Sequence, residues 1–408
     1  MAGVTVSERQ TTSLLVIGII LLPLQIWPVM PLPGMQLSDI FFALAFVQFL
    51  WARFEIPLAI ASIPIAAFAA GATVSTLFGG SPVKLLGHFE LAALGWMAVC
   101  ASPYSSRWLR RALVIAAALA ALTAMAALAV FFSGIAGYDA AGRPESPLLY
   151  IHGSLVSDNY PRPRGTLVTG AMLTSVVATG FALLWFEREL VPGVWQRRLI
   201  YAVCVVALFF AFSRAIATLA IVLIAAELWR RDSPQWARGA FVIVAAAYAV
   251  ALWVSLRYHV VLNPMEPWAV DVLAEDGERF GKWRNAVATL AENPIIGAGP
   301  GILVAEGWSA HNTWLNLWAG LGIVPLAAFA FLMLASIRAA IGLRLLGVAC
   351  ALIFALIESI YHDIEDMRHV WLLIGIALSI EQNARQMQCS KELPLHRSAR
   401  RRREGQKG

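Results

Sequence analysis

Residues 309–329 read SAHNTWLNLWAGLGIVPLAAF, an apolar run of bilayer-crossing length that opens on His311 and Asn312. About 20 apolar residues cross a bilayer as a helix, and only helices and closed barrels satisfy their backbone polar groups in lipid. Such runs recur along the whole chain. Of its 408 residues 59% are hydrophobic and 14% charged, and the mean hydropathy of +0.70 lies above that of soluble domains. The expectation is an all-α polytopic membrane protein. The alanine- and leucine-rich runs are too long for the alternating strands of an outer-membrane barrel.

Spans are read near 12–30, 38–52, 57–79, 85–101, 108–134, 166–186, 198–213, 215–229, 239–256, 313–335, 341–360 and 369–382, about twelve transmembrane helices in all. The first has neither a cationic lead nor a small-residue cleavage site before it, so it is expected to be retained rather than removed as a signal peptide. With the N-terminus placed inside, the inner connections collect Arg53, Arg107, Arg110, Arg111, Arg188, Arg197, Arg198, Arg230, Arg231, Arg238, Arg338 and Arg344, as the positive-inside rule requires. Both termini are then cytoplasmic. Residues 1–382 form one transmembrane domain with periplasmic loops at about 135–165 and 257–312, and 383–408 a basic tail.

The net charge of +6 is thereby topological, and nucleic acid is not expected as a partner. The tail HRSARRRREGQKG suits anionic lipid headgroups. Cys100, Cys204 and Cys350 fall in apolar spans and Cys389 in the tail, leaving no periplasmic pair for a disulfide.

Long loops in compact proteins are functional or disordered, so the two outer ones carry the search for a site. In YPRPRGTLVTG, Pro161 and Pro163 stiffen an extended backbone and present Arg162 and Arg164 ahead of the sixth span. In the second loop the pattern predicts a capped helix from about Glu278 to Ala291, stopped at Asn293–Pro294. Phe280, Trp283, Val287 and Leu290 form its apolar stripe, flanked by Arg279, Lys282 and Arg284, and it is expected to lie on the membrane or the bundle. GAGPG at 297–301 lacks a preceding strand and contains Pro300, so it reads as a turn rather than a phosphate cradle.

Between Arg198 and Arg230 there are about 31 residues, so a helical hairpin gives each arm roughly 23 Å against a core of about 30 Å. Its tip, AFSRAIA, then holds Arg214 below the outer surface, where it faces a wet cavity or a counter-ion, or snorkels. His88 and Glu90 in the fourth span read as a mutually satisfied polar pair. Glu275, Asp276 and Glu278, and likewise His362, Asp363, Glu365 and Asp366, have no metal-ligand spacing and read as solvated faces; no metal or cofactor is expected. Asp363 and Glu365 are also in a position to orient His311 or an acceptor. His311 itself is either a cap of the tenth span, with Asn312 helping, or a general base, and the roles are compatible.

Guanidinium forks match phosphate oxygens, so Arg162, Arg164, Arg214, Arg279 and Arg284 with Lys282 point to a polyanion such as a lipid-linked pyrophosphate. The sequence also resembles the O-antigen ligase and polymerase superfamily: Arg279 to Trp283 as R-x-x-x-W, then NPIIGAGPG, then His311–Asn312 before an apolar span ending in G-L-G, with Arg164–Gly165 and Ser213–Arg214–Ala215 upstream. The resemblance covers about 160–335. It implies a bacterial inner-membrane glycosyltransferase, metal-independent and inverting, whose donor is an undecaprenyl-pyrophosphate-linked glycan and whose acceptor, for a ligase, is the lipid A core. It further implies arginines (Arg214 foremost) neutralising the pyrophosphate, His311 activating the acceptor hydroxyl, Asn312 beside the glycan, and His362 and Asp363 on the acceptor side. A lipid A core O-antigen ligase is favoured because the outer loops are modest and the basic outer face suits a phosphorylated core. A polymerase is the runner-up. A transporter is less favoured, since the two halves show no repeat and the candidate residues gather at the outer edge rather than the midplane; a channel or scaffold would leave the outer arginines without a use.

Overall fold

The computed structural model describes residues 6–24, 36–52, 62–133, 150–153, 161–167, 169–211, 215–230, 273–301 and 310–405, with isolated positions between 239 and 246; side chains are described in these stretches except at 150–162, 273–280 and 389–405. Among the described residues the protein is all-α, with thirteen α-helices and one two-stranded hairpin. The helices are α1 (Val6–Leu21), α2 (Leu37–Ala52), α3 (Ser62–Phe78), α4 (Pro82–Val99), α5 (Pro103–Ser133), α6 (Gly170–Phe186), α7 (Val194–Phe210) and α8 (Ala215–Trp229), then α9 (Leu273–Glu292), α10 (Thr313–Leu321), α11 (Ile323–Gly342), α12 (Leu346–Glu358) and α13 (Arg368–Gly405). Strands β1 (Tyr150–Gly153) and β2 (Pro161–Gly165) pair antiparallel, with His152 opposite Arg162. The extended backbone expected around Pro161 and Pro163 is this second strand.

Two described helices, α5 and α11, are long and apolar enough to cross a membrane by length and composition; α2, α3, α6, α8 and α12 are apolar but shorter. The ninth expected span, 239–256, lies outside the described residues apart from three helical positions. The sixth begins at Gly170, capped by Thr169, whose hydroxyl accepts from the Met172 N–H at 3.1 Å. Among the described residues, α7 of the expected seven–eight hairpin lies mainly on α5 and α6, whereas α8 lies mainly on α12 and α6.

Small residues let the helices approach closely. A Cβ on Gly180 would stand 2.1 Å from the Ala117 Cβ, and one on Gly375 2.5 Å from the Gly95 carbonyl oxygen. Between these crossings an aromatic column of Phe68, Trp371, Phe329 and Trp314 joins α3, α13, α11 and α10, with successive ring centroids 4.8, 5.6 and 6.1 Å apart.

Polar contacts sort the helix ends into two layers. At one end Glu8 accepts from the Ser105 hydroxyl at 3.0 Å, Arg110 pairs with Glu187, the Trp185 indole donates to Glu227 at 2.9 Å, and Arg338 stands 3.7 Å from Glu381. At the other end Arg368 bridges Asp39 (2.9 Å) and Glu90 (2.7 Å). The expected His88–Glu90 pair is therefore replaced: Glu90 serves Arg368, and the His88 ring packs edge-on against Phe68 with centroids 5.9 Å apart.

The tenth expected span is broken. At Gly322, with φ +88°, the helix stops and restarts as α11. The cause is the GAGPG turn: the Ala298 and Gly299 N–H groups donate to the Ala319 and Gly320 carbonyls, both at 2.8 Å, and Ile323 N–H turns to the Ile295 carbonyl at 3.1 Å. The same turn reaches the α3–α4 connection, where the Ser81 N–H donates to the Pro300 carbonyl at 2.8 Å. Gly299, at φ +110°, lies so close that a Cβ would stand 2.1 Å from the Gly79 carbonyl oxygen.

That contact makes a stability test. Gly299→Ala is expected to cost about 2 kcal/mol or more, through backbone strain and a backbone clash. Gly281→Ala, on α9 with nothing within 4 Å of its would-be Cβ, is expected to be neutral or to stabilise by up to about 1 kcal/mol. Thermal unfolding of the purified protein in detergent compares the two, and equal melting temperatures would show that the GAGPG turn is not a structural clasp.

Candidate functional site

His311 stands at the free end of α10, in the layer that also holds Arg368. It is not the helix cap. Asn312 is: its Oδ1 accepts from the Leu315 N–H at 3.0 Å, while its Nδ2 donates to the Ile360 carbonyl at 3.1 Å. His311 precedes the cap with φ +47°, a left-handed backbone that few non-glycine residues adopt. The peptide before it is gripped from both sides. Ala310 N–H donates to Asn316 Oδ1 at 3.0 Å, and its carbonyl accepts from the Trp283 indole at 2.8 Å. Strained backbone of this kind clusters at functional sites.

Its neighbour is the loop between α12 and α13. His311 Nδ1 lies 3.6 Å from Asp363 Oδ2, the two side chains being 45% and 22% exposed. That is an electrostatic contact, longer than a hydrogen bond, and catalytic contacts commonly tighten only with substrate bound. Asn316 donates to the other Asp363 oxygen.

Beneath this pair lies Thr313. Its N–H donates to the Ser359 carbonyl at 3.0 Å, and its hydroxyl accepts from the Ile364 N–H at 2.8 Å. The same hydroxyl stands 2.8 Å from both the His362 carbonyl and Glu365 Oε2. The Thr313 hydroxyl donates toward both acceptors but has one proton, so protonation of Glu365, which would let it donate to Thr313 in turn, would satisfy the whole corner. Burial of Glu365, with the charges of Asp363 and Asp366 nearby, accordingly holds its carboxyl well above the usual carboxylate range.

These placements revise the expected solvated face at 362–366. Glu365 is buried and serves Thr313 rather than His311, and only Asp366 of the four is exposed. The His362 ring lies 3.5 Å from Glu358.

The cations are distributed as follows. Arg164, half-buried on β2, belongs to a hairpin packed on α5, α6 and α7 at the same end of the bundle, where the Thr166 hydroxyl donates to the Pro23 carbonyl. Lys282 and Arg284 flank Trp283 on α9, half-buried and exposed respectively. Helix α9 packs on α10 through Trp283, Ala286 and Leu290, whereas Val287, assigned to the apolar stripe, is 51% exposed. The helix runs longer than the expected Glu278–Ala291 and ends, as expected, before Asn293–Pro294. Arg162 and Arg279 have placed backbones on β2 and α9 but lie outside the described side chains. Arg214, together with the side chains of Glu275, Asp276 and Glu278, also lies outside them.

Sequence reasoning missed Thr313, Asn316 and the Asp39–Arg368–Glu90 bridge. Asn316 follows Asn312 by four residues and so shares its helix face, a spacing that carries the signal. Comparison of the chain with protein-family models and with curated proteins gives no match.

The raised Glu365 pKa gives a pH test. Its folded pKa is raised above the ordinary 4.5, so its contribution is fully present below that value and is lost as pH rises through the folded pKa. Glu365→Gln mimics the protonated acid. It is expected to match the wild type near pH 4.5 and to be more stable at pH 8, by roughly 1–2 kcal/mol for one restored buried hydrogen bond. Melting curves across pH read the difference; parallel curves for the two proteins would place the negative charge in the native corner.

Proposed function

We propose that the protein is a multi-pass membrane glycosyltransferase of the O-antigen ligase type, moving a glycan from undecaprenyl pyrophosphate to a hydroxyl of the lipid A core. The observation that carries this reading is the His311–Asp363 pair, 3.6 Å apart and open to the surrounding medium at one end of an apolar bundle.

Membrane placement draws support from the opposite end. Trp51, Trp195 and Trp229, 84%, 78% and 75% exposed, stand at the ends of α2, α7 and α8. Guanidinium groups cap two aromatic rings of the same layer, Arg111 over Trp108 and Arg198 over Trp195, each at 5.2 Å. Exposed tryptophans interleaved with arginines suit a headgroup region. This layer is taken as cytoplasmic, and His311 then opens to the periplasm. The about twelve spans, with both termini inside, follow from the same reading.

In the proposed reaction the acceptor O–H gives its proton to His311 as the oxygen attacks the anomeric carbon of the lipid-linked sugar. The bond from that carbon to the pyrophosphate oxygen breaks, and its electron pair leaves with the undecaprenyl pyrophosphate. Attack opposite the leaving group inverts the centre. Asp363 stabilises the imidazolium that forms, as the carboxylate of a catalytic triad does. Arginine forks meet the charge growing on the leaving pyrophosphate, drawn from Arg164, Arg162, Arg214, Arg279 and Arg284 with Lys282.

Purified protein incubated with undecaprenyl-pyrophosphate glycan and either lipid A core or excess carrier tests the proposal. Glycan-modified lipid A is the expected product, whereas lengthened carrier-linked chains would make the enzyme a polymerase, and neither product would end the glycosyl-transfer reading. His311→Ala is expected to lose about 10²–10⁴-fold in turnover, the usual scale of general-base catalysis, with unchanged folding; full activity would remove the base role. Arg214→Lys is expected to slow turnover as well, because a point charge does not reproduce a fork, and wild-type rates would leave Arg214 outside the machinery.

A further inference from the structure

We propose that Asn316 is a positioning residue, setting the His311–Asp363 pair by holding Asp363 itself and the backbone of Ala310 next to His311. The inference rests on the proposed base role of His311 and concerns the same site.

The carboxamide cannot be reversed. Its Oδ1 faces the Ala310 N–H at 3.0 Å, and only an oxygen accepts there. Its Nδ2 is thereby directed at Asp363 Oδ1, which must act as the acceptor. An N–H donor favours the ionised carboxylate, so Asp363 presents a negative charge through its second oxygen to His311 Nδ1. One side chain thus fixes the backbone that launches the imidazole and the anion that faces it.

Helix capping does not explain Asn316. The cap is Asn312, and Asn316 sits a full turn into α10. Its carboxamide reaches both the Ala310 backbone and the Asp363 side chain. The left-handed backbone at His311, φ +47°, is held by the grip on Ala310, to which Asn316 supplies one side and Trp283 the other. Among the described residues the charged groups on the segments around the pair include Glu358, His362, Glu365, Asp366 and Arg368 on α12, α13 and the loop between them, Lys84 on α4, and Lys282 and Arg284 on α9, and none is altered by a change at 316.

The test uses the full-length protein and reads His311 directly. Carbethoxylation of His311, followed across pH by mass spectrometry of its peptide, gives a pH midpoint in wild type, Asn316→Ala, Asn316→Asp and Asp363→Asn. Asp363→Asn is expected to lower the midpoint, and Asn316→Ala to lower it in the same direction, because Asp363 is released toward solvent. Asn316→Asp keeps the acceptor for Ala310 but adds a second carboxylate, and is expected to raise it. In the double variant Asn316→Ala/Asp363→Asn the midpoint is expected to equal that of Asp363→Asn alone, since the two residues act through one contact. A residue that merely stabilised the helix would not give opposite shifts for alanine and aspartate. Unchanged midpoints in both Asn316 variants would overturn the proposal, as would full additivity in the double variant. Turnover of Asn316→Ala is expected to fall about tenfold or more through misplacement of the base, with KM for the donor unchanged. The expected midpoint shifts in a protein that transfers no glycan would support the clamp and refute the glycosyl-transfer reading, so the two fail separately.

Discussion

A helix that stops inside an apolar bundle must hand its last carbonyls to other donors, because an unsatisfied backbone group there costs several kcal/mol. Ala319 and Gly320 meet that constraint by accepting from the Ala298 and Gly299 N–H groups. The exchange lets the chain break at Gly322, which makes α10 a helix of nine residues instead of a full span. A short α10 has its N-terminus near the loop between α12 and α13, and His311 sits on that N-terminus. The position of the imidazole is therefore decided a helix length away, by glycines that no side chain could replace.

From that fixed end the site is assembled by side chains with more than one partner each. Asn312 caps the helix and ties it to Ile360, Thr313 ties it to Ser359, His362, Ile364 and Glu365, and Asn316 ties it to Asp363. Trp314 adds an indole bond to the Ser359 hydroxyl at 2.8 Å. Buried polar networks of this sort rigidify when fully satisfied and are costly when broken. Burial raises the Glu365 carboxyl above its ordinary range, which favours its neutral form beneath the loop that carries Asp363.

Much of the helical content was legible because apolar runs of membrane length have few other solutions. The ends of α2 and α8, the C-terminal end of α3, the stop of α9 at Asn293–Pro294 and the turn at GAGPG followed from local signals of that kind. What the residues could not announce were interactions across long sequence distances. Gly322 reads as an ordinary small residue in a span until residues 295–299 arrive to take its neighbours' bonds. Glu90 sits two residues from His88, yet its partner is Arg368; Glu365 looks solvated beside Asp363 and Asp366, yet Thr313 buries it. The chemistry of His311 and Asp363 marks them as candidates in the sequence, whereas Asn316 becomes visible only when Ala310 and Asp363 are placed beside it.

The central claim is that His311 opens to the outer medium at the end of the bundle opposite the tryptophan and arginine layer. Cysteine accessibility tests it most directly. In a chain with Cys100, Cys204, Cys350 and Cys389 replaced by alanine, a single cysteine is placed at 311 or at 229 and sealed spheroplasts are treated with a membrane-impermeant maleimide. Position 311 is expected to label in intact spheroplasts and position 229 only after permeabilisation. Labelling of 229 from outside, with 311 silent until the membrane is opened, would contradict the account.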